Sequence, residues 1–382
     1  MKIIKANTLF DGIYEKKNCF IGFEDDLIKF VNSNKPNDNN AEIIAEGENI
    51  VVTPAFIDSH SHIGLVRAGE PTGEAEDNEH MDSIYPLANA IHSIYMDDPA
   101  FSDSIESGVL YSTVLPGSSN IIGGKSVLIR NFAKDIEEAY LKDIGIKIAL
   151  GYNPRSRTEW KGNRPSSRMG VIAMIRDNFI KARKMQNLLK NEKKVIDEID
   201  PTTELFIDML SNKYKLMVHL QKEDDARILI QLVKEFGIKV IANHCLDIQR
   251  EEIFAALNRV SIPVIYGPMD SFPNKVELKH DKWRNAEGLL KSKAKFSLMS
   301  DHPIILQRNI FYTLRHLLRL GLSKSGAISK ITSEAAEILG IEKLGQIKEG
   351  FKTSLVVWNG DPFSITSYPI LIIGEGRIVY KE

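Results

Sequence analysis

Cysteine is nearly absent from this chain of 382 residues: it has two, Cys19 and Cys245, far apart in sequence. That excludes a disulfide framework as the basis of the fold and makes a reducing cytoplasm the expected location. Long apolar runs are also missing. No window approaches the roughly 20 uninterrupted apolar residues that a membrane helix needs. The opening residues Met1–Asn7 carry a polar residue every few positions, so no secretory leader is expected. There is no charge of one sign in excess. Lys plus Arg number 49 and Asp plus Glu 51, a net charge of -2, which argues against nucleic acid or an anionic membrane as partner. Internal repeats and low-complexity tracts are absent too.

What is present is a hydrophobic fraction of 43%, enough for a large core, arranged in two rhythms. The first stretch reads as short strands and turns: 2–6, 19–23 and 27–31, with Asp11-Gly12 and Asp25-Asp26 as turns and 32–40 as a polar loop. After Pro54 the rhythm changes. Apolar runs of strand length at 55–58, 109–115, 125–129, 146–150, 215–220, 239–242, 263–266 and 295–299 alternate with helical patterns. A long helix is expected from Ser166 or Ser167 toward Asn191, with apolar positions Val171, Ile172, Ile175, Phe179 and Ala182 recurring at three and four. Eight such units match an α/β fold of the (β/α)8 TIM-barrel type. The chain ends in β-like segments again, at 354–358, 369–373 and 377–380. The predicted organisation is a barrel over 53–344 and a small β-sandwich domain assembled from 1–52 and 345–382.

Histidine carries the sharpest chemical signal. His60 and His62 end the first barrel strand, and residues two apart in a strand project to the same side. Two imidazoles there can grip one metal ion, at the face where this fold places its active sites. His219, His244 and Asp301 each end another predicted strand. A lone histidine at a strand end is most often structural; four with an aspartate are hard to assign to chance. Such a donor set suits zinc, with iron or manganese as alternatives, and such an ion makes water nucleophilic near neutral pH. Asp301 would hold that water or take its proton.

These residues resemble a known family. Residues 54–62, Pro-Ala-Phe-Ile-Asp-Ser-His-Ser-His, resemble the opening motif of the amidohydrolase superfamily, and Ser300-Asp301-His302-Pro303 resembles its strand-eight motif. Nearly the whole chain resembles the imidazolonepropionase-related branch, which also holds amidohydrolases and dipeptidases. Residues 115–124, Asn153-Pro154 with Arg168-Met169-Gly170, and 345–350 carry that likeness. The resemblance implies a barrel, a split β domain and metal-dependent hydrolysis of a C–N bond in an amide, cyclic amide or peptide. It implies His60, His62, His219 and Asp301 as metal ligands, with Asp301 and His244 catalytic. Relatives often have glutamate where this chain has Tyr152 and lysine where it has Arg130. In two-metal members a carboxylated lysine or a glutamate near strands three or four bridges the ions. The two departures therefore imply one ion per chain.

Weaker features complete the reading. The turn 116–124 is rich in Gly, Ser and Asn and could cradle an anion, or simply be a tight turn; Asn120 is its candidate contact. Arg155, Arg157, Arg164 and Arg168 cluster after strand four, and Arg168 is the candidate carboxylate clamp. Tyr152 is the third candidate substrate contact. Segment 67–82 is acidic and placed to form a lid, and Cys245 reads as a small core residue. The expected partner is a small-molecule substrate, with a homo-oligomer left open. Competing readings are a one-metal deaminase, an imidazolone-type ring opener, or a degenerate barrel that binds without catalysis.

Overall fold

The computed structural model describes residues 1–34, 41–155 and 164–382; Arg157 and most of the polar loop lie outside them. The N-terminal end forms β1 (Lys2–Phe10), β2 (Glu15–Glu24), β3 (Leu27–Asn32), β4 (Glu42–Ala45) and β5 (Val51–Pro54). β1 turns into β2 because the Asp11 carboxylate accepts from the N–H groups of Ile13 and Tyr14, at 2.9 and 2.7 Å.

Eight further strands form the second sheet: β6 (Phe56–Ser61), β7 (Val109–Val114), β8 (Ile122–Arg130), β9 (Tyr140–Ala149), β10 (Lys215–Leu220), β11 (Val240–His244), β12 (Val264–Tyr266) and β13 (Phe296–Leu298). They are hydrogen-bonded in sequence order into a nearly closed barrel. Every residue of β6, β7, β11, β12 and β13 is buried, as strands covered on both faces require.

One strand departs from the expected alternation. β8 runs antiparallel to both β7 and β9. The segment joining β7 to β8, residues 115–121, is too short for the crossover of a dozen or more residues that parallel neighbours need. The chain therefore doubles back, and the barrel is not eight repeated βα units.

The ends of the barrel meet through backbone hydrogen bonds: Asp301 N–H donates to the His60 carbonyl and His62 N–H to the His302 carbonyl, both at 3.0 Å. Beneath them the buried Asp58 carboxylate accepts from Ser300 N–H (3.0 Å), from Gln307 Nε2 (2.8 Å) and from the Ser300 hydroxyl.

The chain then returns through β14 (Leu355–Trp358), β15 (Pro369–Gly374) and β16 (Arg377–Lys381). β14 pairs with β5, so strands from both chain ends share one sheet of order β16-β15-β14-β5-β1-β2-β3, with β4 beside β1. Hydrogen bonds connect all eight strands, and Ile28 N–H donates to the Phe351 carbonyl at 2.9 Å, which brings β3 back to the segment before β14. Its buried face carries a separate cluster including Ile4, Ile21, Phe23, Val52, Leu355 and Ile373. The long helix spans Arg168–Lys190, with the Ser167 hydroxyl accepting from Gly170 N–H at 3.2 Å. Among the described residues, no helix is long and apolar enough to cross a membrane.

Candidate metal and substrate site

Strand ends bring His60, His62, His219, His244 and Asp301 to one place. His60 Nε2 and His62 Nε2 lie 3.3 and 3.2 Å from Asp301 Oδ1. The His244 ring centroid is 4.4 Å from that of His219 and 4.9 Å from that of His60, and His244 Nδ1 is 3.9 Å from Asp301 Oδ2. His244, Cys245 and Asp301 hold positive φ angles of 75°, 61° and 51°. Backbone held in this region costs on the order of 1 kcal/mol or more per residue and clusters at functional sites.

The donor chemistry fits a cation. His62 Nδ1 lies 2.7 Å from the Leu115 carbonyl and must donate to it, which leaves the Nε2 lone pair facing the Asp301 carboxylate. A lone pair against a carboxylate oxygen is repulsive unless a proton or metal lies between. His60 Nδ1 and both ring nitrogens of His219 are buried without a hydrogen-bond partner. Two ligands about 2.0 Å from a tetrahedral ion stand roughly 3.3 Å apart, close to the His–Asp separations found. Among the described residues, His60, His62 and Asp301 bring ligand atoms within 4.8 Å of one another.

Electrostatics agree. Burial, reinforced by the nearby charge of Lys147, holds His60 and His219 well below the usual histidine range, so both imidazoles are neutral donors. Burial and the adjacent His219 do the same for His244. Burial alone would raise Asp301, but the surrounding imidazoles outweigh it and hold the carboxyl well below its ordinary range.

Two residues at the site escaped the sequence reading. Lys147 of β9 is fully buried, and its Nζ lies 3.3 Å from His60 Nε2. Burial pushes its pKa down to about 8, against the pull of Asp301 and Asp77. It hides in the run Ile146-Lys147-Ile148-Ala149-Leu150, where alternation alone places Gly145, Lys147 and Ala149 on one face. Glu277 is the second. It sits in the loop after β12, buried, with Oε1 3.5 Å from His219 Nε2 and Oε2 accepting from Tyr152 N–H at 2.9 Å. Gly151 makes that approach feasible: it has a φ of 82°, and a Cβ there would come within 2.9 Å of the Glu277 carboxylate.

Other expectations are corrected. Arg130 lies at the opposite end of the barrel, because β8 runs backward; it pairs with Tyr111 near the start of β7. Its guanidinium donates to Glu375 and to the Glu138 carbonyl, both at 2.8 Å. Arg168 does not line the cavity above the histidines and instead donates to the buried carboxylate of Asp225. Asn120 is buried and fastens the lid segment: it donates to the Glu79 and Asp82 carbonyls at 2.8 Å and accepts from Glu79 N–H at 3.2 Å. Tyr152 does line the cavity, which has a volume of about 420 Å³ and takes Thr72, Asp77 and Asn78 of the lid segment as one wall. Cys245 is fully buried.

Comparison with known proteins identifies the family. The model of the amidohydrolase family matches residues 212–379. A solved amidohydrolase from Thermotoga maritima MSB8 is 30% identical, with a TM-score of 0.92 over 100% of both chains. The chain belongs to the amidohydrolase superfamily. Imidazolonepropionase of Picrophilus torridus is 24% identical over 379 residues, covering 92% of this chain and 88% of that one. Amidohydrolase tasK of Hapsidospora irregularis is 26% identical over 367 residues; that match covers 89% of this chain but only 37% of the relative's length.

Proposed function

We propose that the protein is a metal-dependent amidohydrolase that cleaves a C–N bond of a small amide, cyclic amide or peptide. The observation that carries this is the convergence of four imidazoles and an aspartate at the strand ends, with His62, His219, His244 and Asp301 lining one cavity and ring nitrogens of His60 and His219 left unpartnered. His60, His62, His219 and Asp301 would hold a divalent ion, with zinc best suited to the donor set. A divalent ion there supplies Lewis acidity and lowers the pKa of water toward about 7. Asp301 accepts a proton on its carboxylate and passes it to the leaving nitrogen. His244 keeps its Nδ1 proton on the Gly267 carbonyl at 3.0 Å, which leaves Nε2 as a lone pair able to accept a proton or a hydrogen bond.

Lys147 favours a second reading of the metal count. The expectation of one ion rested on Arg130 and Tyr152 standing at the ends of strands three and four. Arg130 is elsewhere, and a buried lysine amine stands beside His60 instead. Addition of CO2 to that amine, with loss of a proton, gives an anionic carbamate able to bridge two ions, as the family resemblance implies for two-metal members.

Elemental analysis of protein purified without chelators, paired with release of amine from a panel of dipeptides, N-acyl amino acids and cyclic imides, tests the proposal. Metal bound and a C–N bond cleaved is the expected result. Absence of divalent metal together with silence across the panel, in wild type and metal-supplemented protein alike, would overturn it. A carbon-13 carbamate signal from labelled bicarbonate, lost in Lys147→Met, separates two ions from one.

A further inference from the structure

The cavity over the histidines contains an ammonium group whose placement the hydrolytic chemistry does not use. Lys275 lies in the loop after β12, half-buried, and lines the same cavity as His62, His219, His244 and Asp301. Its position is fixed by a polar chain. The Asn153 amide has one orientation that satisfies it: Oδ1 accepts from Lys275 Nζ (3.2 Å) and from the Ser118 hydroxyl (2.7 Å), while Nδ2 donates to Glu277 Oε1 (3.3 Å). Glu277 in turn stands 3.5 Å from His219. The ammonium is therefore one amide and one carboxylate removed from the imidazole cluster.

Among the described residues, no carboxylate lies within ion-pair distance of Lys275. The nearby acid, Glu277, has one oxygen on Tyr152 N–H and the other on the Asn153 amide. A lysine has three donors, and Asn153 takes one. The remaining donors sit in a cavity whose lining mixes polar groups with apolar ones, among them the buried Leu246 and Leu278 and the Phe272 ring, which is 83% exposed. A half-buried cation held by a neutral acceptor and flanked by apolar surface is a receptor for an anionic group on an otherwise apolar molecule.

We propose that Lys275 anchors a substrate carboxylate, so that the substrate class is a carboxylate-bearing amide with an apolar side chain, such as an N-acyl amino acid or a small peptide with a free C-terminus. Ser118, Asn153 and Glu277 are positioning residues for that ammonium. The inference rests on the hydrolase reading above. It replaces Arg168 as the expected carboxylate clamp, because Arg168 is committed to Asp225.

The test uses matched pairs, each a dipeptide or N-acyl amino acid and its C-terminal carboxamide, on metal-loaded wild type, Lys275→Met and Lys275→Arg. Wild type is expected to favour the free acids. Lys275→Met should raise KM for the acids by about 10- to 100-fold, the range for losing a hydrogen bond to a charged group, with kcat little changed and carboxamides unaffected. Lys275→Arg should retain most of the preference. Equal use of acids and carboxamides by wild type, or an unchanged KM in Lys275→Met, would overturn the inference while leaving the hydrolase reading intact. If no pair is hydrolysed, the hydrolase reading is decided by the metal analysis and the wider panel described above. Calorimetric binding of N-acetyl-leucine against its carboxamide then decides the anchor: tighter binding of the acid, abolished in Lys275→Met, supports it, and indistinguishable binding overturns it.

Discussion

Asp58 offers the most demanding test of how the site is held. Its carboxylate touches nothing in the cavity, yet it joins β6 to the turn carrying Asp301: it accepts from Ser300 N–H, the Ser300 hydroxyl and Gln307 Nε2, and, at 3.3 Å, from His60 N–H. Asp58→Ala would strand the buried Ser300 N–H and leave its hydroxyl without its acceptor. Gln307 Nε2 keeps the Ser112 hydroxyl at 2.9 Å and loses less. Each stranded buried donor costs about 1–3 kcal/mol. Burial also pushes the Asp58 carboxyl up to about 6, so removing it relieves part of that burden. The net expectation is a loss of about 2–4 kcal/mol, a sizeable fraction of the roughly 5–15 kcal/mol that holds a native domain together. Urea unfolding followed by tryptophan fluorescence measures it, and metal content measured in parallel reports whether Asp301 still points inward. Asp58→Asn keeps the shape and one acceptor oxygen, so it should fall between wild type and Asp58→Ala. If Asp58→Ala unfolds within error of wild type and keeps full metal occupancy, Asp58 does not position Asp301.

His219→Ala should lose tightly held metal, read by elemental analysis after gel filtration; full occupancy would remove His219 from the ligand set. Arg130→Met should leave metal content unchanged while lowering stability by about 1–3 kcal/mol, because it unties a hydrogen-bonded ion pair between the barrel and the terminal sheet. A fall in metal stoichiometry in that variant would contradict its placement at the far end of the barrel. Asn120→Ala should speed proteolytic cleavage within residues 66–95 several-fold without changing the barrel's far-ultraviolet spectrum, since three hydrogen bonds hold that segment to the β7–β8 turn. Identical cleavage rates would show that other contacts suffice.

The histidine pair was legible in the sequence because strand geometry has a period of two, and His60 and His62 inherit it without tertiary help. His219, His244 and Asp301 were legible because each closes an apolar run. Direction is another matter. Periodicity reports a strand at residues 125–129 and is silent about which way it runs, so Arg130 was assigned to the wrong end of the barrel. Lys147 was concealed by its neighbours: an apolar run reads as core, and a single charge inside it looks like noise until the strand is seen to face a cavity. Glu277 and Lys275 lie in the irregular segment after β12, where no period exists to interpret, and only the folded backbone brings them beside His219 and Asn153. Arg168 failed for a related reason: its partner, Asp225, is remote in sequence.

The reversed strand β8 has a consequence for how this scaffold can change. In a barrel of eight repeated units, eight segments overhang the mouth, and each can lengthen to reshape the cleft. Here the β7–β8 turn is short and fastened through Asn120, and the β8–β9 connection lies at the far end, beside Arg130 and Glu375. The rim is thus pinned along one arc, which leaves reshaping of the cleft to the others, chiefly the segments after β6, β9 and β12. Diversification of substrate choice, by natural drift or in a directed library, should concentrate in those three segments and spare the hairpin.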